Sequence, residues 1–292
     1  MPHPNTFLRF PDGREKALSF TFDDGCVEDR RLIDKIGELG LRCTCNLNSD
    51  WFDLKLSYNT RMNEADTVAA LDREYVEIAS HGAKHSDCFN TEQHAYIWDA
   101  IKDRAKLESL FHRPITGYAF PQGAVTEQAK RDLERAGFEY ARAVGFFGNF
   151  ELPRDLYEIH GTIDLLSGGT DELIDRFLGI KCDKWIWGDT GAKFCEMFVH
   201  SYCIDSEDKW ELCFRRLEKL AHRDDLWYAT NIELVRYIKA YRSLIFTLEH
   251  DRVFNPSAQD VWIHTEGGIT MIPAGGTAEL CEGPYSDMTP AT

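Results

Sequence analysis

Apolar residues along this chain fall into two alternating textures: short runs of strand length and longer stretches at helical spacing. Residues 17–22 form an apolar-rich run that ends in Asp23-Asp24-Gly25. After it, Val27, Leu32, Ile33, Ile36 and Leu39 recur on one helical face, and Gly40 fits the position just past a helix end. Residues 42–48 and 75–80 read as strands, the second running into His81. Tyr96, Ile97, Ile101, Leu107, Leu110 and Phe111 mark a long helix that stops before Pro114. Residues 115–120 read as a strand ending at Pro121, and 128–136 as a helix closed by Gly137. Strands at 139–144, 158–165, 194–200 and 226–229 follow, with helices at 171–178, 210–220 and 232–241.

About seven βα units in succession require a parallel sheet, and closure into a distorted (β/α) barrel is the economical arrangement. An open doubly wound sheet is the alternative, but no Gly-x-Gly-x-x-Gly follows the first strand, which speaks against a dinucleotide site. Past Leu244 the texture changes. Residues 245–249, 260–264 and 269–272 are short β stretches, with the turn signal Thr265-Glu266-Gly267-Gly268 between the last two. The expectation is an α/β barrel over 1–244 and a small C-terminal antiparallel β appendage with a tail over 245–292.

Composition narrows the partners. The 292 residues, 43% hydrophobic, suffice for one sizeable core plus an appendage. Lys+Arg number 33 against 49 Asp+Glu, a net charge of -16, which argues against nucleic acid or an anionic membrane as partner. A neutral or weakly cationic ligand, such as a sugar, suits this surface better. The 9 cysteines are scattered and form no Cys-x-x-Cys pair, so neither a disulfide framework nor a zinc ribbon is indicated. Cys43 and Cys45 share one face of a strand and are weighed as core ahead of a ligand pair. The N-terminal stretch lacks an apolar signal region and no run of about 18 apolar residues occurs, so the expected location is cytoplasmic.

The polar residues at strand ends carry the chemistry. Taken singly, each has a plain structural reading. An Asp after a strand often caps the next helix. Two His at i and i+4, as His81 and His85 are, often lie on a solvated face, and His200 within an apolar run is usually a core histidine. Together they mark three ends of a parallel sheet, which is where barrel sites are built. Two imidazoles and one carboxylate are a common ligand set for catalytic zinc, leaving the fourth position to water. A second carboxylate beside the ligand can take that water's proton, and an imidazole opposite can protonate a leaving amine.

Thr21-Phe22-Asp23-Asp24-Gly25, then Ser80-His81 through His85-Ser86, then the Pro121-Gln122-Gly123 loop and a strand ending in His200 resemble, in this order, the motifs of the polysaccharide deacetylases (carbohydrate esterase family 4, the NodB-homology domain). The resemblance spans roughly residues 15–245, and residues 226–242 with 254–262 look like a subgroup carrying a small β tail. It implies Asp23 as catalytic base, Asp24, His81 and His85 as metal ligands, and His200 as general acid. The implied protein is a metal-dependent hydrolase, with Zn²⁺ expected, that removes an N-acyl group, acetyl first, from an amino sugar or oligosaccharide. The same chemistry on an O-acetyl ester or another amide bond, and a non-catalytic carbohydrate-binding protein, are the alternatives.

Two departures from the family pattern stand out. Where the family has Arg-x-Pro-Tyr-Gly, this chain has Ala119-Phe120-Pro121-Gln122-Gly123, so the Arg that braces the base is missing at Ala119. Gln122 stands in place of the Tyr whose backbone N–H helps hold the oxyanion. The Asp-Trp motif that orients the acid His has no clear counterpart; Asp164, Asp189 and Asp205 are the candidates. Substrate contacts are expected from Tyr118, Phe120, Gln122, Trp185 and Trp187. Trp51, Phe52, Phe146 and Phe147 also lie near strand ends, where they serve equally well as core or rim.

Overall fold

The computed structural model describes residues 6–145, 148–182 and 191–280. A short strand, β1 (Phe7–Arg9), precedes a βα series: β2 (Lys16–Asp23), α1 (Asp29–Glu38), β3 (Cys43–Leu47), α2 (Glu64–Leu71), β4 (Val76–Ser80) and α3 (Gln93–Phe111). Next come β5 (Gly117–Ala119), α4 (Glu127–Arg135), β6 (Tyr140–Ala143), β7 (Ile159–His160), β8 (Ile163–Asp164), α5 (Thr170–Gly179) and β9 (Lys193–Val199). The series continues with α6 (Ser201–Ser206), α7 (Trp210–Leu220), β10 (Leu226–Tyr228) and α8 (Asn231–Arg242). Short strands follow: β11 (Ile245–Phe246), β12 (Arg252–Phe254), β13 (Val261–Thr265), β14 (Gly268–Ile272) and β15 (Thr277–Glu279).

Strands β2 to β10 form one parallel sheet of nine, in the order β7-β6-β5-β4-β3-β2-β9-β8, with β10 beside β2. Strand β2 is its axis. One edge pairs with β9 throughout; the other is shared between β10, at Lys16–Leu18, and β3, at Phe20–Asp23. Residues 159–164 pair with β6 through β7 and with β9 through β8, so one stretch joins both ends of the sheet and curls it into a distorted barrel. The single strand expected at 158–165 is therefore two, split at Gly161-Thr162, because its halves serve different neighbours.

The two faces of β2 explain its sequence. Leu18, Phe20 and Phe22 pack into the apolar core between sheet and helices, while Ser19, Thr21 and Asp23 alternate onto the opposite face. That face carries a network of buried polar groups. Asn46 donates to Thr21 Oγ1 at 2.8 Å, and Thr44 and Tyr140 donate to the two oxygens of Glu77, each at 2.9 Å. Ser19 donates to Asn231 Oδ1 at 2.6 Å, and Asn231 donates to Glu196 Oε1 at 2.7 Å. Burial pushes the carboxyls of Glu77 and Glu196 each up to about 7.

Gly40 closes α1 in the left-handed conformation expected of it (φ 65), with Leu41 N–H reaching back to Ile36 O at 3.0 Å. Helices α2 and α6 were not expected. Neither carries the apolar stripe that marks the others; α2 buries only Thr67 and Leu71. The appendage is two three-stranded antiparallel sheets, β1-β13-β14 and β11-β12-β15. Its first sheet borrows β1 from the start of the chain, with Leu8 paired to Ile263. Tyr237 of α8 ties the appendage down: its hydroxyl donates to Arg9 O at 2.7 Å and accepts from Trp262 N–H at 3.0 Å. Among the described residues no helix is long and apolar enough to cross a membrane.

Candidate active site

The polar face of the barrel opens at the carboxyl ends of its strands. Asp23, the last residue of β2, is buried and accepts from Asn46 Nδ2 at 2.8 Å. The chain then bends sharply. Asp24 sits at φ 88, a left-handed conformation uncommon for a residue with a Cβ, and its N–H is held by Asn46 O at 2.8 Å. The bend turns both carboxylates toward one imidazole: His81 Nε2 lies 3.6 Å from Asp23 Oδ2 and 4.0 Å from Asp24 Oδ1.

His81 follows β4 directly. Its Nδ1 is 2.9 Å from Ala119 O, which fixes the proton on that nitrogen and leaves Nε2 as the lone-pair side facing the carboxylates. Two acids one turn apart on α3 pin the loop it starts. Asp103 accepts from Ser80 Oγ at 2.6 Å and from His81 N–H at 3.2 Å, and Asp99 accepts from Lys84 N–H at 3.1 Å. Gly82 (φ 72) has no room for a side chain, since a Cβ there would stand 2.8 Å from Asp99 Oδ2. His85, also left-handed at φ 56, meets the His81 ring edge-on at 4.7 Å and stacks on Trp51 at 5.1 Å.

Asp24, His81 and His85 each offer a ligand atom, all within 4.8 Å of one another. Asp24 Oδ1 is buried and has no hydrogen-bond partner among the described residues, the condition a cation would relieve. Burial first, then the neighbouring His81, lowers His85 to about 4, so the ring is neutral near pH 7, as a metal ligand must be. The donor set fits a divalent ion of zinc type.

Two buried arginines, neither anticipated, neutralise the paired acids. Arg142 stands on β6 directly opposite Ala119 on β5, and its guanidinium donates to Asp23 Oδ1. Burial would raise the Asp23 carboxyl, but Arg142, then His81 and His200, outweigh it and hold it far below the usual carboxylate range. Ala119 offers no cation, and the guanidinium that meets Asp23 comes from the adjacent strand. An Arg inside the apolar run Tyr140–Ala143 was the available signal. Arg61, from the loop after β3, pairs with Asp24 Oδ2 at 3.0 Å and lies over the Trp51 ring at 5.2 Å.

His200 follows β9 and stands on the open side of the site, its side chain 28% exposed against 2% for His81. Its Nε2 is 3.8 Å from Asp24 Oδ2, and its ring lies between Phe198 at 4.8 Å and Tyr202 at 5.0 Å. Burial lowers its pKa, while Asp23 and Asp24 pull it back up. Of the acids considered for orienting it, Asp164 accepts from Leu166 N–H and Asp205 from the Trp210 indole, and Asp189 lies outside the described residues. The neighbouring Ser201 is anchored instead, its hydroxyl donating to buried Asp29 on α1.

The expected substrate contacts need correction. Tyr118 and Phe120 are 1% and 0% exposed, packed in a cluster with Tyr96, Ala129, Leu133 and Phe138, so neither ring can meet a sugar. Tyr118 of β5 and Phe120 just after it project toward the helices, on the face opposite Ala119. Gln122 is exposed at the tip of its turn (φ 57). Trp185, Trp187, Phe146 and Phe147 lie outside the described residues. Cys43 and Cys45 are buried in the main core.

Comparison with known proteins gives a family match over part of the chain: the sequence model described as polysaccharide deacetylase fits residues 11–141. No curated protein matches the sequence. Among solved structures, a Mycobacterium smegmatis protein assigned as a polysaccharide deacetylase superposes with a TM-score of 0.60 at 15% identity, covering 83% of this chain and 96% of that one. Puue allantoinase superposes with a TM-score of 0.54 at 13% identity, over 78% and 91% of the two chains. A carbohydrate esterase family 4 pseudoenzyme from Bacillus anthracis gives 0.48 at 12% identity, over 78% and 68%. At these identities the first two likenesses establish a shared fold.

Proposed function

Residues 11–141 carry the polysaccharide deacetylase signature on the fold shared with such a protein, and from this premise we propose that the chain is a metal-dependent hydrolase releasing acetate from an N-acetylated amino sugar or oligosaccharide. The observation that carries the reading is the unpartnered Asp24 Oδ1 grouped with His81 and His85, beside an Asp23 braced by Arg142. Asp24, His81 and His85 would hold the ion, which when bound polarises the acyl carbonyl and acidifies a water.

The chain's own residues do the rest. Asp23 is kept ionised and fixed in orientation by Arg142 and Asn46, so it accepts a proton from the attacking water without first losing one. Gln122, at the tip of the turn after β5, offers its backbone N–H to the developing oxyanion. His200, the more open of the paired groups, delivers a proton to the departing nitrogen. The investment in orienting Asp23 favours catalysis over sugar binding alone, because binding a metal and a sugar requires no base. The allantoinase likeness supports a second substrate for the same residues, a small cyclic amide.

An acetate-release screen of the zinc-supplemented protein on N-acetylated hexosamine oligomers and O-acetylated sugars, with ring opening of a cyclic ureide followed separately, tests the reading. Asp23→Asn should lower turnover by about two to four orders of magnitude while leaving metal occupancy unchanged. Turnover by Asp23→Asn within a few-fold of the unmodified protein would remove Asp23 as base. Inactivity of both on every acylated sugar would leave a binding protein.

A further inference from the structure

The loop after β3 is built to present one aromatic ring. Residues 54–61 fold back on themselves: Leu56 N–H donates to Asn59 O at 2.9 Å and Arg61 N–H to Leu54 O at 2.9 Å, which puts Ser57 and Tyr58 at the tip of a tight turn. The turn is locked to the loop that carries Asp24. Val27 N–H donates to Thr60 O and Met62 N–H to Gly25 O, each at 3.0 Å, while Arg61 reaches Asp24 itself. Tyr58 therefore has a fixed register against the candidate metal ligands.

Tyr58 is 62% exposed. A single exposed aromatic is ordinary and alone means nothing. This one is not isolated, because its ring lies 5.8 Å from that of half-buried Tyr202, tilted by 60°, and Tyr202 in turn lies 5.0 Å from His200. A continuous aromatic rim thus runs outward from the candidate acid. Trp51 and His85 form a separate wall on the metal side.

Chemistry decides which side the sugar occupies. The acyl carbon must sit over Asp24, His81 and His85, beside Asp23. The bond that breaks joins that carbon to the nitrogen His200 protonates, and the nitrogen carries the sugar. The sugar must then extend past His200, over Tyr202 and out to Tyr58. An acyl group needs no such rim, nor does a ring-free amide; a pyranose, with apolar C–H faces, does.

We propose that Tyr58 and Tyr202 form the platform on which the leaving sugar ring stacks, and that Tyr58 makes the protein select saccharides over small amides. This rests on the deacetylase reading above. The test compares Tyr58→Ala and Tyr58→Phe with the unmodified protein on N-acetylated hexosamine oligomers and on a ring-free N-acetyl amide. Tyr58→Ala should raise KM on the oligomers and lower the preference for oligomer over the ring-free amide, as the ratio of kcat/KM values, by about five- to tenfold; Tyr58→Phe should retain both. An unchanged preference in Tyr58→Ala, with the unmodified protein active on oligomers, overturns the platform and leaves the deacetylase reading standing. Absence of oligomer cleavage by the unmodified protein overturns both.

Discussion

Arg142 and Ala119 face each other across two neighbouring parallel strands, and from that position the Arg142 guanidinium reaches the carboxylate of Asp23. The position that lacks a cation on β5 is compensated at the paired position on β6. What the site needs is a guanidinium at one place in space, not at one place in sequence. Arg142→Ala should lower kcat/KM by about ten- to a hundredfold, the scale of a lost hydrogen bond to a charge. The double variant Arg142→Ala/Ala119→Arg should recover part of the loss, since the new side chain starts from the strand next door. Failure of the double variant to exceed the single, with both folded by circular dichroism, would show that the brace cannot be moved.

Metal binding should report on folding as well as on activity. Zinc at about 100 times its dissociation constant stabilises a protein by about 2.7 kcal/mol, so the unmodified chain should melt at higher temperature as zinc is added. His81→Ala should not respond, because it removes the imidazole whose Nε2 faces Asp24 Oδ1 at 4.0 Å. An equal rise in both proteins would place the ion elsewhere.

His200 should act as acid and not as ligand. Its Nε2 faces Asp24 Oδ2, the oxygen that Arg61 also holds, and not the unpartnered Oδ1. His200→Ala is expected to keep its zinc and to lose more activity on amides than on activated esters, whose leaving groups depart without a proton. Matched losses on both substrate types would argue against the assignment.

The buried acids of the barrel give stability a pH signature. Glu196 is ordinarily a carboxyl near 4.5, and burial pushes it up to about 7. The folded chain holds that proton longer than the unfolded one does. Its contribution to stability is therefore complete below about 4.5 and is lost as pH rises through about 7, amounting to up to about 3 kcal/mol. Urea unfolding should show lower stability at pH 8 than at pH 5, and Glu196→Gln should reduce that difference, the remainder belonging to Glu77 and Asp29, whose carboxyls burial also raises to about 7. A slope unaffected by the substitution would mean that Glu196 is ionised throughout.

The barrel skeleton was legible because each strand and most helices carry an apolar pattern of the right period. Helix α2 was not, since EADTVAAL has no stripe, and β1 was not, since three residues cannot show alternation. The Asp and His residues of the site stood out because they interrupt or end apolar runs. Arg142 lies inside such a run, yet its partner Asp23 is 119 residues away, a distance no local pattern spans. Arg61 gave no signal at all. Tyr118 and Phe120 were misread for want of parity: with Ala119 on the barrel side, its two neighbours had to face the helices.

The pairing of β1 with β13 also orders events during synthesis. Arg9 and His264, which meet across that sheet at 2.6 Å, are 255 positions apart. At about 5–20 residues per second, a ribosome needs roughly ten to fifty seconds to deliver the partner after the first strand has emerged. Throughout that interval the barrel strands can pair among themselves while β1 lacks the strand it will pair with and Arg9 lacks His264. The terminal sheet is then the last seam to close, and a nascent chain halted before residue 261 would carry a complete set of candidate catalytic residues on a body whose N-terminal edge is still open to chaperones and proteases.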